Sequence, residues 1–326
     1  MTVSVALATF NGGRFIGEQL ASIAAQTLPP TGLVVSDDGS TDDTCARVES
    51  FARDAPFPVQ LHRNAEQLGV AANFMHAASL CSGDHVAFAD QDDVWLETKL
   101  ERCAGALAGP GVRLCVHGCA VVDEALRPSG RIVPQIRRSR VVPGLDVPKW
   151  AEAPGMGMVF DRALVDLAPW DRRPRAHHQH GRLLHDEWVL GLARVAGRIA
   201  FVAEPLVLYR QHGVNVEGAP ERGLGSRLSE AASVGAEYYR RRAGQARDWA
   251  ALLDDLPGAE AEAGSYRRLA AALDLRVAAH SPERGRRQRL AAVGTGLRRG
   301  AYASRGGDGF GLRGLARDTL LAAAGR

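Results

Sequence analysis

The chain has 326 residues, 46% of them hydrophobic and 24% charged, with a formal net charge of +3. This is an ordinary globular composition with room for one large α/β domain and an extension. Five scattered cysteines, an odd number, argue against a disulfide framework and for a reducing cytoplasm. No apolar run approaches the roughly 18 residues that span a bilayer, and Met1 leads directly into Val3-Ser4-Val5-Ala6-Leu7 without a signal-peptide pattern. The expectation is a cytoplasmic protein, peripheral at most to the inner face of the plasma membrane.

Strand and helix signals alternate through the first half, which predicts a mostly parallel sheet covered on both faces. Val3 to Ala8 reads as a strand. Phe15 to Ala25 reads as a helix, ended by Leu28-Pro29-Pro30. Leu33-Val34-Val35 is the second strand, and Ser40 with Asp43 three residues on has capping-box spacing for a helix running to about Asp54. Val59 to His62, Val70 to Cys81 and His85 to Ala89 read as strand, helix and strand.

Three of these strands end in polar clusters: Thr9-Phe10-Asn11-Gly12, Ser36-Asp37-Asp38-Gly39-Ser40 and Asp90-Gln91-Asp92-Asp93. In a parallel sheet the three share one edge, where ligands of open α/β sheets bind. The last cluster has three carboxylates in four residues, hard ligands that suit Mn²⁺ or Mg²⁺ with positions open for a bound diphosphate. The alternative is a solvated acidic turn capping a helix that starts near Trp95.

Leu114 to Val122 is a further strand, and Arg127 to Lys149 reads as an exposed loop. Cys115, His117 and Cys119 share a strand face, but a second ligand pair for zinc is missing. Ala153-Pro154-Gly155-Met156-Gly157-Met158 is a glycine-bearing turn before a short helix near Asp161, and Trp170 to Leu184 is a polar connection rich in Arg and His. Asp186 to Ala196 is helical, with Gly197 as its stop. Ile199 to Val202 and Leu206 to Tyr209 read as two closing strands. Beyond about Ala219 the chain is rich in Ala, Leu and Arg and predicts two or three amphipathic helices. From Arg284 to Arg326 it carries ten arginines against Asp308 and Asp318. Such a basic surface suits anionic lipid headgroups; nucleic acid is not expected, because aromatic interleaving is missing.

Taken together, Ala8-Thr9-Phe10-Asn11-Gly12, Ser36 to Asp42, Asp90 to Trp95, His185-Asp186-Glu187-Trp188 and Glu204 to Gly213 resemble the family 2 glycosyltransferases, over roughly Val3 to Asn215. The resemblance implies a GT-A fold with a C-terminal helical extension. Its domains would be 1–218, with a nucleotide-sugar half at about 1–123 and an acceptor half at about 124–218, and a basic helical extension at 219–326. It implies a bacterial, rhamnosyltransferase-like enzyme of cell-wall or polysaccharide biosynthesis. The reaction would be inverting transfer from dTDP-rhamnose or a UDP-sugar to a hydroxyl of a cell-surface glycan or lipid-linked acceptor.

Position by position, the resemblance assigns Thr9, Asn11, Asp37 and Asp38 to the nucleoside, Asp90 to the ribose, and Asp92 and His212 to the metal. Gly155 and Gly157 would lie against the donor sugar, with Asp93 and Trp188 in support. Asp186 would be the general base, taking the proton of the acceptor hydroxyl as it attacks the anomeric carbon; the alternative is a helix N-cap. Phe10 stands where many relatives have tyrosine, and Glu187 replaces a frequent aromatic. A dinucleotide oxidoreductase is disfavoured because Asn11-Gly12-Gly13-Arg14 follows the first strand in place of G-x-G-x-x-G. The glycine-rich, Arg- and Lys-bearing signature of a nucleotidyltransferase is also missing. A non-catalytic nucleotide-sugar-binding or scaffold protein of the same fold is the remaining alternative.

Overall fold

The computed structural model describes residues 1–178, 181–213, 235–303 and 310–324. They fall into two compact units: Met1–Val147, Ala151–Leu167 and Leu184–Ala219 in the first, Pro148–Trp150, Ala168–Leu183 and Pro220–Arg326 in the second. The boundary expected at 218 and the end of the resemblance at Asn215 lie outside the described residues.

The first unit is α/β. Strand β1 (Val3–Thr9) is buried along its whole length, as a strand covered on both faces must be. It pairs in parallel with β2 (Gly32–Asp37) and β4 (His85–Asp90), and β2 pairs in parallel with β3 (Val59–Arg63). The sheet continues through β9 (Met158–Asp161), β6 (Val112–Val122) and β10 (Arg198–Arg210) to the two-residue β5 (Val94–Trp95), in the order β3-β2-β1-β4-β9-β6-β10-β5. Only β9 and β5 on this path run antiparallel to their neighbours. Helices α1 (Ile16–Ala24), α2 (Thr44–Asp54), α3 (Val70–Ser79), α4 (Lys99–Leu107), α5 (Ala163–Asp166) and α6 (His185–Ala196) flank it. Ile16, Leu20 and Ile23 of α1 are buried in the core with Leu7, Leu33 and Val35, each contributing about 1.5–3 kcal/mol by its transfer from water.

Several expectations are corrected. Helix α2 starts at Thr44, because Ser40 spends its N–H on Asp37 Oδ2 at 2.9 Å and Asp42 takes the N–H of Thr44 at 3.0 Å. Trp95 opens no helix; with Val94 it pairs with Val207 and Leu208, and α4 begins at Lys99. Residues 127–149 hold β7 (Pro128–Val133) beside β6 and β8 (Arg140–Pro143) beside β10. Both strands are largely exposed and lack the apolar alternation that marks a strand in sequence. The two closing strands are one, β10, whose register against β6 slips between Val202 and Pro205, a bulge that breaks its period. Gly197 has an extended φ of 170° rather than a left-handed one, and a Cβ there would lie 2.5 Å from the Gly111 carbonyl oxygen.

In the second unit the described residues form four helices: α7 (Ala236–Leu253), α8 (Glu260–His280), α9 (Arg286–Arg298) and α10 (Gly311–Ala323). Fully buried Asp318 of α10 accepts hydrogen bonds from Arg276 and His280 of α8 and from Tyr302, each at 2.8 Å. Residues 168–183 belong to this unit and are anchored in it: Arg175 Nε donates to Asp248 at 2.7 Å, and buried His177 lies 2.8 Å from Gln245 Oε1. His180 lies outside the described residues. No helix among the described residues is long and apolar enough to cross a membrane.

Candidate active site

Strand order makes the site. The connection from β1 leads to β2 on one side while β4 lies on the other, so a crevice opens at the carboxyl ends of β1 and β4. Thr9, Asp37 and Asp90 end the three strands, with Thr9 beside Asp37 and Ala8 beside Asp90 in register.

Thr9 Oγ1 donates to Asp37 Oδ1 at 2.9 Å, and both residues are buried. Although burial works against it, hydrogen bonds from Ser40 and Thr9 hold the Asp37 carboxyl below its ordinary range. Asp38 is also buried; its oxygens accept from Leu68 N at 2.7 Å, Gly69 N at 2.9 Å and Asn64 Nδ2 at 3.0 Å, so it pins the loop leading into α3. Asn11 is exposed with a left-handed φ of 47°, and its Oδ1 takes the N–H of Thr41 at 2.8 Å. Gln91, unread in the sequence, clips two strand ends together by accepting from Phe10 N at 2.9 Å and donating to Phe10 O at 3.1 Å. A Cβ at Gly12 would sit 2.1 Å from Gln91 Oε1, so a side chain there would displace this clip.

The three carboxylates of the acidic cluster separate in role. Asp90 is half-buried, and burial first, then the charges of Asp92 and Asp186, push its carboxyl up to about 8. Asp92 Oδ2 lies 2.8 Å from His212 Nε2. Asp93 is fully buried and turned inward, where Oδ1 accepts from Arg210 N at 3.0 Å and burial raises its carboxyl well above the usual range. Pairing of β5 with β10 explains the meeting across 120 residues: it brings the end of β10 alongside the acidic turn, and His212 stacks on Phe15 with ring centroids 4.8 Å apart. Arg210, also unread in the sequence, locks this arrangement by donating to the carbonyls of Asp92 at 2.8 Å and Glu124 at 2.6 Å.

Asp186 sits in the first turn of α6, and Leu184 rather than Asp186 takes the N-cap position. Glu187, which stands where relatives often have an aromatic, reaches back to accept the Leu184 N–H at 3.0 Å and closes the helix start. Trp188 is fully buried and acts by packing. His185 is buried against the Phe74 face at 3.9 Å and the Phe88 edge at 4.9 Å, and this burial drives its imidazole down to about 3. Gly155–Gly157 is a buried 3₁₀ turn whose glycines make room for the protein itself. A Cβ at Gly155 would be 2.6 Å from His185 Nε2, and one at Gly157 would be 3.0 Å from the His117 carbonyl oxygen.

Cys115, His117 and Cys119 are buried in β6; His117 Nδ1 lies 2.8 Å from Gly118 O, and every cysteine is a free thiol. No group of three or more His, Cys, Asp or Glu able to hold a metal occurs among the described residues. The Asp92–His212 pair is a two-donor set of one carboxylate and one imidazole, which fits a cation that takes its remaining ligands from water and a diphosphate.

A family model described as Glycosyl transferase family 2 matches residues 4–164, covering the strand ends, the acidic cluster and the glycine turn. Residues 4–164 form a glycosyltransferase family 2 domain. Among similar proteins, an uncharacterized glycosyltransferase of Nostoc sp. is 25% identical over 225 residues, 66% of each chain. The dTDP-rhamnosyl transferase RfbG of Shigella flexneri is 28% identical over 219 residues, 65% of this chain and 74% of that one. The chain thus spans slightly less than two thirds of the first relative. Among solved structures, S. aureus TarS 1–349 in complex with UDP superposes with a TM-score of 0.59 at 18% identity, covering 99% of this chain and 89% of that chain. That likeness concerns the fold, which is that of the GT-A glycosyltransferases.

Proposed function

We propose that this family 2 enzyme transfers a sugar, with inversion, from a nucleoside diphosphate sugar to an acceptor hydroxyl, with Asp186 as general base. The observation that carries this reading is the start of α6 packed on β4: His185 lies with its ring 4.9 Å from that of Phe88, two residues before Asp90, and the charge of the adjoining Asp186 bears on Asp90. A carboxylate on the far side of the donor from the nucleotide can accept the proton of the attacking hydroxyl, typically worth 10² to 10⁴ in rate. Asp92 and His212 would hold Mn²⁺ or Mg²⁺. Bound there, the cation supplies Lewis-acid stabilisation to the departing diphosphate. Thr9, Asp37 and Asn11 shape the nucleoside end, with Asp38 fixing the loop behind it.

RfbG is named a dTDP-rhamnosyl transferase and TarS is solved with UDP-GlcNAc, so dTDP-rhamnose and UDP-sugars are the donors to test. The acceptor in this reading is a cell-surface glycan or lipid-linked saccharide. The exposed arginines of the tail, Arg284, Arg286, Arg287, Arg298 and Arg299, would bring the enzyme to an anionic bilayer.

The deciding experiment is calorimetry of UDP and dTDP with and without Mn²⁺, followed by nucleotide release from the matching sugar donors. Metal-dependent binding that Asp92→Asn or His212→Ala reduces at least tenfold supports the reading. Binding that is equal with and without metal, in parent and variants alike, overturns the metal assignment.

A further inference from the structure

Helix α4 places a lysine where its packing calls for an apolar residue. Lys99 shares the buried side of the helix with Leu100, Cys103 and Leu107, and it is fully buried. An unpaired ammonium in such a place is strongly unfavourable, so its compensation is informative. Nζ donates to the Met156 carbonyl at 2.8 Å and sits 3.5 Å from the centroid of the Trp95 ring. Burial draws the ammonium down to about 8.

Met156 is the middle residue of the Gly155–Gly157 turn. The turn closes on itself through Gly157 N to Pro154 O at 2.9 Å, and its two glycines abut His185 on one side and the His117 carbonyl on the other. Packing therefore limits the turn at both ends, and the carbonyl between them is held by Lys99.

We propose that Lys99 is a positioning residue for the donor sugar: its hydrogen bond to Met156 O holds the Gly155–Gly157 turn where the sugar rests, so it governs affinity for the sugar nucleotide rather than for the nucleotide alone. This rests on the proposed function together with the family resemblance by which Gly155 and Gly157 lie against the donor sugar. A lysine serving only stability would affect UDP and UDP-sugar binding alike, since both need the same folded sheet edge. A lysine that holds the turn affects only the ligand that carries a sugar.

The test is calorimetry of UDP, dTDP, UDP-glucose and dTDP-glucose with Mn²⁺ on the full chain, its Lys99→Met and Lys99→Gln variants, and Gly155→Ala. Methionine fills the same volume on Trp95 without a donor, and glutamine keeps a neutral N–H, so the outcome does not depend on one variant folding. Lys99→Met is expected to weaken the sugar nucleotide that the parent prefers about tenfold while its parent diphosphate binds within about twofold, with Lys99→Gln between. Gly155→Ala, which pushes the turn away from His185, is expected to give the same selective loss. If Gly155→Ala shows that loss and the Lys99 variants do not, the assignment of Lys99 is overturned while the reading of the turn stands. If neither distinguishes sugar nucleotide from nucleotide, the turn does not face the sugar, and the reading beneath fails with the proposal.

Discussion

The backbone N–H of Arg210 donates to the buried carboxylate of Asp93 at 3.0 Å, and that bond decides where His212, two residues further on, can stand. The Arg210 side chain completes the clamp with Nε on the Asp92 carbonyl and its guanidinium over the Phe15 ring at 4.7 Å. Arg210→Lys keeps a positive charge but loses the planar fork that serves several carbonyls at once. Chemical denaturation is expected to show a loss of about 2–3 kcal/mol. The metal-dependent part of nucleotide affinity should fall with it, because the His212 ring loses its support; a fully stable variant with unchanged metal dependence would falsify the clamp.

Asp186→Asn separates base from scaffold. Asparagine matches aspartate in size but takes no proton, so donor affinity and melting temperature should stay near the parent's while transfer falls by about 10² to 10⁴. Glu187, not Asp186, closes the start of α6, so the substitution leaves the helix intact. Transfer within about threefold of the parent is the result that removes Asp186 from the chemistry.

Two buried histidines each add an acid-sensitive contribution to the stability of the first unit. Burial draws both His185 and His117 down to about 3. Between that value and the unfolded value near 6.5, the unfolded chain holds protons that the folded one does not, so this contribution to stability falls as pH falls through this window. Each histidine contributes a slope of about 1.4 kcal/mol per pH unit there. The raised carboxyls of Asp90 and Asp93 act with the opposite sign over the same window, so the quantity to read is a difference: His185→Phe, which keeps the stack on Phe74, should gain stability relative to the parent as denaturant midpoints are taken from pH 7 to pH 4.5. An equally steep profile in that variant would clear His185.

Attachment of the tail to membranes is best tested by charge rather than by truncation. Cutting at Arg284 would also remove Asp318 and strand Arg276 in the interior, because the two are hydrogen-bonded at 2.8 Å. The four-site change Arg286→Glu, Arg287→Glu, Arg298→Glu and Arg299→Glu alters exposed positions only. Sedimentation with phosphatidylglycerol vesicles at low salt should drop sharply for this variant and stay near zero with phosphatidylcholine. Equal sedimentation of parent and variant is the outcome against it.

Long buried strands and amphipathic helices were legible because their periods are long enough to read. Val3–Thr9 is apolar throughout most of its length, and Ile16, Leu20 and Ile23 repeat at helical spacing. The convergence of polar strand ends followed from parallel pairing alone. Val94–Trp95 was not legible, since two residues carry no period, and its strand character comes from β10. β7 and β8 were hidden by exposed arginines and prolines, their pairing being a matter of backbone hydrogen bonds. Lys99 and Arg210 escaped because a charged residue reads as solvent-facing until its partners are known; the one signal for Lys99 was its place on the helix face that also carries Cys103 and Leu107. Ser40 misled for the opposite reason, its capping potential being spent on Asp37.

The pairing of Asp92 with His212 also has a temporal side. The two residues are 120 positions apart, and the strand that carries His212 to the acidic turn is the last of the sheet to be made. At about 5–20 residues per second, a ribosome delivers His212 some 6–24 s after Asp92. Until then a nascent chain can assemble β1, β2 and β4 without a complete pair of cation donors. On the proposed role of the pair, metal-dependent capture of the nucleotide is deferred until β10 has been synthesised, after Asp186. On that reading a growing chain lacks the cation-dependent grip on a donor in a half-built pocket, where water could consume it.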